Sequence, residues 1–186
     1  MTTYKIHNED TASAPAADPL KKAKEKYGFV PNLLGTMAES PALLKAYMTL
    51  AGIFDETSFS ATEKQIVLLA VSLANNCGYC MAAHSAIAGM QGVPEDVIKA
   101  LRENTPIKDN KLETLRRLAQ SIAETRGYPP ENTVKNFLDA GYAQAQLLEV
   151  ILGVGMKTLS NYTNHIAKTP LDEAFKPVEW TAKKAA

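Results

Sequence analysis

Residues 60–84 read SATEKQIVLLAVSLANNCGYCMAAH, and the punctuation of this stretch decides the fold class. Ser60 and Glu63 have the spacing of a capping box, in which the hydroxyl and the carboxylate satisfy free N–H groups at a helix start. Behind them Ile66, Leu69, Ala70, Leu73 and Ala74 share one helical face, and Val67, Leu68 and Val71 widen the apolar band. A helix apolar on nearly every side belongs inside a bundle. Asn75 and Asn76 interrupt it, and a second helix is expected from about Cys77 to Gly89–Gly92.

Outward from this pair the signals stay helical. Pro31 and Ser40-Pro41 open short helices near 31–38 and 41–54, and Val93-Pro94-Glu95 opens one that ends near Asn104. Further helices fit 109–126, 130–140 and a long 143–167, which Thr169-Pro170 stops. In the long helix Leu148, Leu152, Gly155, Leu159, Tyr162 and Ile166 fall at helical spacing. Asp18 with Pro19 predicts the start of the first helix and Gly28 its end, which leaves 1–17 as a flexible N-terminal arm and 18–186 as one helical domain. No period-2 run of β-branched residues is sustained anywhere. The expectation is an all-α, single-domain bundle of about eight or nine helices. The lysines of residues 21–26 and the Arg116-Arg117 pair read as solvated faces, and Trp180 as an anchor on a neighbouring subunit.

Composition narrows the function. Twenty Lys+Arg against twenty Asp+Glu leave no net charge, which speaks against nucleic acid as the main partner. The longest apolar stretch, from Ile66 to Ala74, falls far short of the roughly 20 residues a bilayer core requires, so no membrane partner is expected. A polar start without an apolar leader, together with only two cysteines, predicts a cytoplasmic protein.

Chemistry concentrates at Cys77-Gly78-Tyr79-Cys80 and His84, which hold both cysteines and one of the three histidines. On a helix, residues at i, i+3 and i+4 are neighbours with Cβ atoms roughly 5–6 Å apart. Cys77, Cys80 and His84 therefore share a side, and a small adjustment would close a Cys77–Cys80 disulfide. Their place at a helix start favours a thiolate, and His84 can hold or take a proton. Covalent haem attachment would need His directly after Cys80, where Met81 stands, and a thioredoxin-type motif would need a βαβ setting. A zinc site of Cys77, Cys80, His84 and His165 lacks the second Cys/His pair usual in structural sites, so no metal and no cofactor are expected. Reversible dithiol chemistry is the sharpest remaining option beside an inert buried pair.

The stretch from Glu63 to His84, with its Cys-x-Tyr-Cys-x-x-x-His signature, resembles the alkylhydroperoxidase AhpD core within the carboxymuconolactone decarboxylase superfamily. Val30-Pro31-Asn32-Leu33-Leu34, Ser40-Pro41-Ala42-Leu43-Leu44 and the closing 161–172 segment are similar to its peroxidase-related branch. The resemblance implies a peroxide or alkyl hydroperoxide reductase, with Cys80 the peroxidatic thiol, Cys77 the resolving one and His84 the proton shuttle. It also implies a homo-oligomer, trimer or hexamer, and an external thiol reductant that the sequence does not identify. The family's relay glutamate, about twelve residues before the first cysteine, corresponds here to Gln65, and an amide cannot ionise. Glu63 lies off that face, in the capping box. His165 and Tyr79 are further candidates for relay, for a supporting contact or for gating. Two other readings stand beside this one: a non-catalytic thiol redox sensor or assembly module, and a lactone enzyme of the decarboxylase type.

Overall fold

The computed structural model describes residues 4–181, so the first three residues of the expected arm and the last five of the expected helical domain lie outside the described residues. Nine α-helices and one short 3-10 helix, without a strand among the described residues, form the all-α bundle the sequence predicts. They are α1 (Ala14–Tyr27), α2 (Asn32–Met37), α3 (Pro41–Asp55), α4 (Ala61–Ala74), α5 (Gly78–Met90), α6 (Glu95–Glu103), α7 (Asn110–Glu124), α8 (Glu131–Asp139) and α9 (Gln144–Ala167), followed by the 3-10 helix Glu173–Val178.

Helix α4 occupies the centre, packed on α7, α5 and α9. Its capping box is complete: Ser60 Oγ accepts from the Glu63 N–H, and the Glu63 carboxylate accepts from the Ser60 N–H at 2.8 Å. Every residue from Gln65 to Ser72 is buried, as the nearly continuous apolar run requires. Two apolar clusters result. One is built on α4, α6 and α7, with Leu69, Leu101, Leu115 and Leu118 fully enclosed. The other gathers α1, α2 and the start of α5 around Leu20, Met37, Leu44 and both cysteines.

Three local expectations are corrected. The first helix begins at Ala14, not Asp18, because Ser13 takes the cap position and Pro15 falls in the first turn, where a missing N–H costs nothing. Residues 14–17 of the expected arm are therefore helical, and the arm before them is held by the His7 N–H donating to the Gly35 carbonyl at 3.0 Å. A Cβ at Gly35 would meet His7 O at 2.5 Å, so glycine permits this approach. Arg116 is not solvated: it lies 6% exposed, its guanidinium gripping Glu113 through two 2.7 Å bonds. Trp180 anchors within its own chain, donating Nε1–H to the Arg102 carbonyl at 2.9 Å.

For α9 the structure settles what spacing alone leaves open, namely which face turns inward. Of the stripe from Leu148 to Ile166, Leu148, Tyr162 and Ile166 are exposed, while Leu152 is half-buried against the core. The inward face is Val150, Gly153, Met156, Lys157, Ser160, Asn161 and Asn164. A Cβ at Gly153 would sit 2.7 Å from Val67 and 2.8 Å from Phe54, so its absence lets α9 close on α3 and α4. That approach fixes the rotation of α9 and brings its polar residues over the thiols.

Candidate active site

Cys77 is the N-cap residue of α5 and no side chain caps the helix, so both thiols lie at the positive end of its dipole. The two are free and almost fully buried. Asn164 reaches across from α9, its Nδ2 donating to Cys80 Sγ at 3.3 Å and to Cys77 Sγ at 3.7 Å. Ser160 Oγ lies 3.9 Å from Cys80 Sγ, and Asn161 Oδ1 accepts from Asn75 Nδ2 at 2.9 Å.

The strongest charge in this group belongs to Lys157. Its side chain is 0% exposed, and its Nζ has no hydrogen-bond acceptor among the described residues. Desolvating an ammonium is expensive unless an anion faces it. The neighbours that feel its charge are Cys80, Cys77 and His84. Burial disfavours a thiolate at Cys80, but the hydrogen bond from the Cys77 thiol and the Lys157 charge outweigh it and hold the Cys80 thiol well below its ordinary value. Cys77 is pushed up, first by donating that hydrogen bond to Cys80, then by burial and by the neighbouring sulfur's charge. The surroundings thus favour the thiolate at Cys80 and the thiol at Cys77.

His84 lies one turn beyond Cys80 on α5. Burial and then the Lys157 charge push its pKa well down, so the ring is neutral. Its Nδ1 lies 3.1 Å from Gln65 Oε1, while Gln65 Nε2 donates to Gln91 Oε1 at 3.0 Å. With the amide so oriented Gln65 presents an acceptor, so Nδ1 carries the ring proton and Nε2 is the free base. Gln65 therefore fixes a tautomer, work that needs no ionisable group.

A cavity of about 530 Å³ opens over these groups, its wall including Cys80, His84, Lys157, Tyr47, Tyr79 and Phe175. Tyr79 does not swing freely. Its hydroxyl donates to Asp172 and accepts from the Leu33 N–H at 3.3 Å, while Asp172 also accepts from the Asn32 N–H at 3.0 Å. The Phe175 ring meets Tyr79 edge-on at 6.2 Å and Phe29 at 5.8 Å, so the closing segment roofs the cavity. Burial, and next the Asp172 bond, push the Tyr79 hydroxyl pKa up.

Of the residues singled out in the sequence, Cys77, Cys80, His84 and Gln65 come together, and Tyr79 lies at the cavity wall. Glu63 is engaged in the α4 cap. His165 is corrected: it is exposed and stacks on Tyr162 at 6.4 Å, because the neighbouring Asn164 takes the inward position. The zinc set considered above thus does not assemble, and no group of three His, Cys, Asp or Glu able to hold a metal ion occurs among the described residues. Sequence reasoning missed Lys157, Ser160 and Asn164. Their signal was present: with Asn161 they recur at i, i+3, i+4 and i+7, a polar stripe with the period of a buried face.

Comparison with known proteins agrees with this architecture. Residues 41–121 match the carboxymuconolactone decarboxylase family. No curated protein sequence matches the chain. Among solved structures, the chain is similar to an alkylhydroperoxidase AhpD core, an uncharacterized peroxidase-related protein from Ralstonia eutropha JMP134, with a TM-score of 0.82 at 19% identity over 92% of this chain and 93% of that one. It is also similar to the debrominase Bmp8 with a Cys-to-Ala change, solved with 2,3,4-tribromopyrrole, at a TM-score of 0.80 and 16% identity over 95% of each chain. A peroxidase-related protein from Silicibacter sp. TM1040 follows at 0.73 and 17%, over 94% of this chain and 97% of that one. The centre of the chain, residues 41–121, thus carries a match to the carboxymuconolactone decarboxylase family, and nearly the whole chain shares the fold of these AhpD-like structures.

Proposed function

We propose that this protein is a dithiol peroxidase that reduces organic hydroperoxides through Cys80 and Cys77. One observation carries the reading: Cys80 lines a ring-sized cavity while Lys157, Asn164 and the Cys77 thiol all favour its thiolate. The thiolate attacks the peroxide O–O bond, the alkoxide leaves and takes a proton to become the alcohol, and Cys80 becomes a sulfenic acid. With its negative charge gone, Cys80 no longer suppresses ionisation of Cys77. Cys77 loses its proton to His84 Nε2, directly or through a water, attacks Cys80 and forms the disulfide as water leaves. An external dithiol returns the two electrons by exchange. Gln65 holds His84 in the tautomer this sequence needs.

The outward apolar face of α9 supports a homo-oligomer, trimer or hexamer, since Leu148, Tyr162 and Ile166 would otherwise stay in water. No helix among the described residues is long and apolar enough to cross a membrane. That fact and the scarcity of cysteine support a cytoplasmic location. Reductive dehalogenation of an aromatic ring by the same thiols is a second reading, favoured by the cavity's size and the likeness to the debrominase.

The test is turnover of cumene hydroperoxide with dithiothreitol as reductant. The native protein should cycle many times, and Cys80→Ser should lose at least ~10³-fold, the scale on which removing a covalent nucleophile acts. Equal rates in the two proteins would refute the reading. Oxidation that stops after one equivalent would favour the redox sensor, and release of halide from tribromopyrrole without peroxide turnover would favour dehalogenation.

A further inference from the structure

The cavity and its buried cation have a consequence beyond the peroxide step. A volume of about 530 Å³ far exceeds the ~30 Å³ of one water and the ~150 Å³ that accepts benzene. Its walls are mostly apolar and aromatic, with Phe29, Tyr47, Tyr79 and Phe175 among them. The polar groups there are largely engaged: Tyr79 with Asp172 and Leu33, His84 Nδ1 with Gln65. Lys157 is different. Its side chain lines the cavity beside Cys80, it is fully buried, and Nζ has no hydrogen-bond partner among the described residues. Whenever Cys80 is neutral, as in a disulfide, a fully buried amine without a partner remains beside the cavity, and an incoming anion would favour its charged form.

We propose that this cavity binds a carboxylate carried on an aromatic ring, directly or through one methylene, its anion on Lys157 Nζ and its ring among Phe29, Tyr47 and Phe175, and that it binds when Cys80 carries no charge. The coupling to disulfide formation rests on the dithiol reading, whereas the site itself does not. Lys157 is thus one cation shared by two anions in turn, the thiolate of the reduced protein and the carboxylate of a ligand. An acid of this class would hold the oxidised form and slow its reduction.

The experiment is calorimetric titration with phenylacetate and its neutral isostere phenylacetamide. Cys80→Ser should bind phenylacetate at a stoichiometry of one per chain, at least ~10-fold more tightly than it binds phenylacetamide and ~10-fold more tightly than the reduced native protein does, each tenfold being about 1.4 kcal/mol. Adding Lys157→Met should remove the preference for the acid while leaving phenylacetamide binding intact, which shows that the cavity has kept its shape. Equal affinities for acid and amide in Cys80→Ser, or a preference that survives Lys157→Met, would overturn the proposal. The native protein oxidised with diamide repeats the acid-to-amide comparison without substitution, and a ratio near one there also overturns it. A Cys80→Ser protein with the preference, from a native protein that does not reduce peroxide, would sink the peroxidase reading alone.

Discussion

Helices α4 and α9 lie against each other and bury opposite kinds of surface. Helix α4 buries eight consecutive residues, of which only Gln65 and Ser72 are polar. Helix α9 buries Lys157, Ser160, Asn161 and Asn164 and turns Leu148, Tyr162 and Ile166 outward. The first arrangement is what the hydrophobic effect alone would select. The second costs desolvation at every polar group, and it occurs where two thiols and an imidazole wait on the facing helix. On α9 polar burial gathers over the thiols, whereas on α4 apolar burial builds the scaffold that holds them.

That contrast can be broken from either side. The largest effect should come from the scaffold. Leu69→Ala removes a fully enclosed side chain from α4 and should cost about 2–5 kcal/mol of unfolding free energy. Denaturant titration measures the loss, while the Cys80 thiol of the folded fraction should keep its reactivity. A loss under ~1 kcal/mol would mean that α4 is not the centre of the core.

Lys157→Met should do the reverse. Without the cation the Cys80 thiolate is less favoured and the thiol takes up a proton, so no buried charge is stranded and stability should stay within ~1 kcal/mol. The midpoint of Cys80 alkylation by iodoacetamide should move to higher pH, with at least ~10-fold slower reaction near pH 6, or about 1.4 kcal/mol. An unmoved pH profile would remove Lys157 from the thiolate's environment.

The last test concerns a polar group outside the site, whose effect is confined to acid. Glu113 is drawn to a pKa of about 2: burial resists ionisation, but the Arg116 and Arg117 bonds and the Ile107 N–H prevail. Its folded value lies below the roughly 4.3 of an unfolded glutamate. The ionised group therefore stabilises the fold above that value, and the contribution is lost as pH falls from roughly 4.3 toward about 2. Acid titration of stability should show Glu113→Gln with a shallower decline than the native protein across that window, and the same slope in both would remove the linkage.

Much of the fold was legible in the sequence because its signals are local. Ser60 and Glu63 announce the start of α4, Ser40-Pro41 that of α3, and Thr169-Pro170 the end of α9. The thiols and His84 were equally legible, since three residues on one helix keep their spacing wherever the helix goes. The first helix was placed too late because Pro19 reads as a first-turn proline, whereas the chain uses Pro15 there and carries Pro19 inside the helix. Arg116 reads as solvated in the sequence because its partners assemble only in the fold: Glu113, one turn away, also accepts from the Ile107 N–H, and Asn104 Oδ1 accepts from Arg116 Nη1.

By itself, then, the sequence determined which segments are helices and which atoms on α5 can exchange electrons and protons, because both follow from contacts within a few residues. Only the tertiary structure decided what faces those atoms. The rotation of α9 is set by Gly153 closing on Val67 and Phe54, and it carries Asn164 to a sulfur 84 residues away in sequence. An apolar stripe and a polar stripe on one helix are both periodic, and periodicity alone does not say which turns inward. Here close packing at Gly153 made the choice.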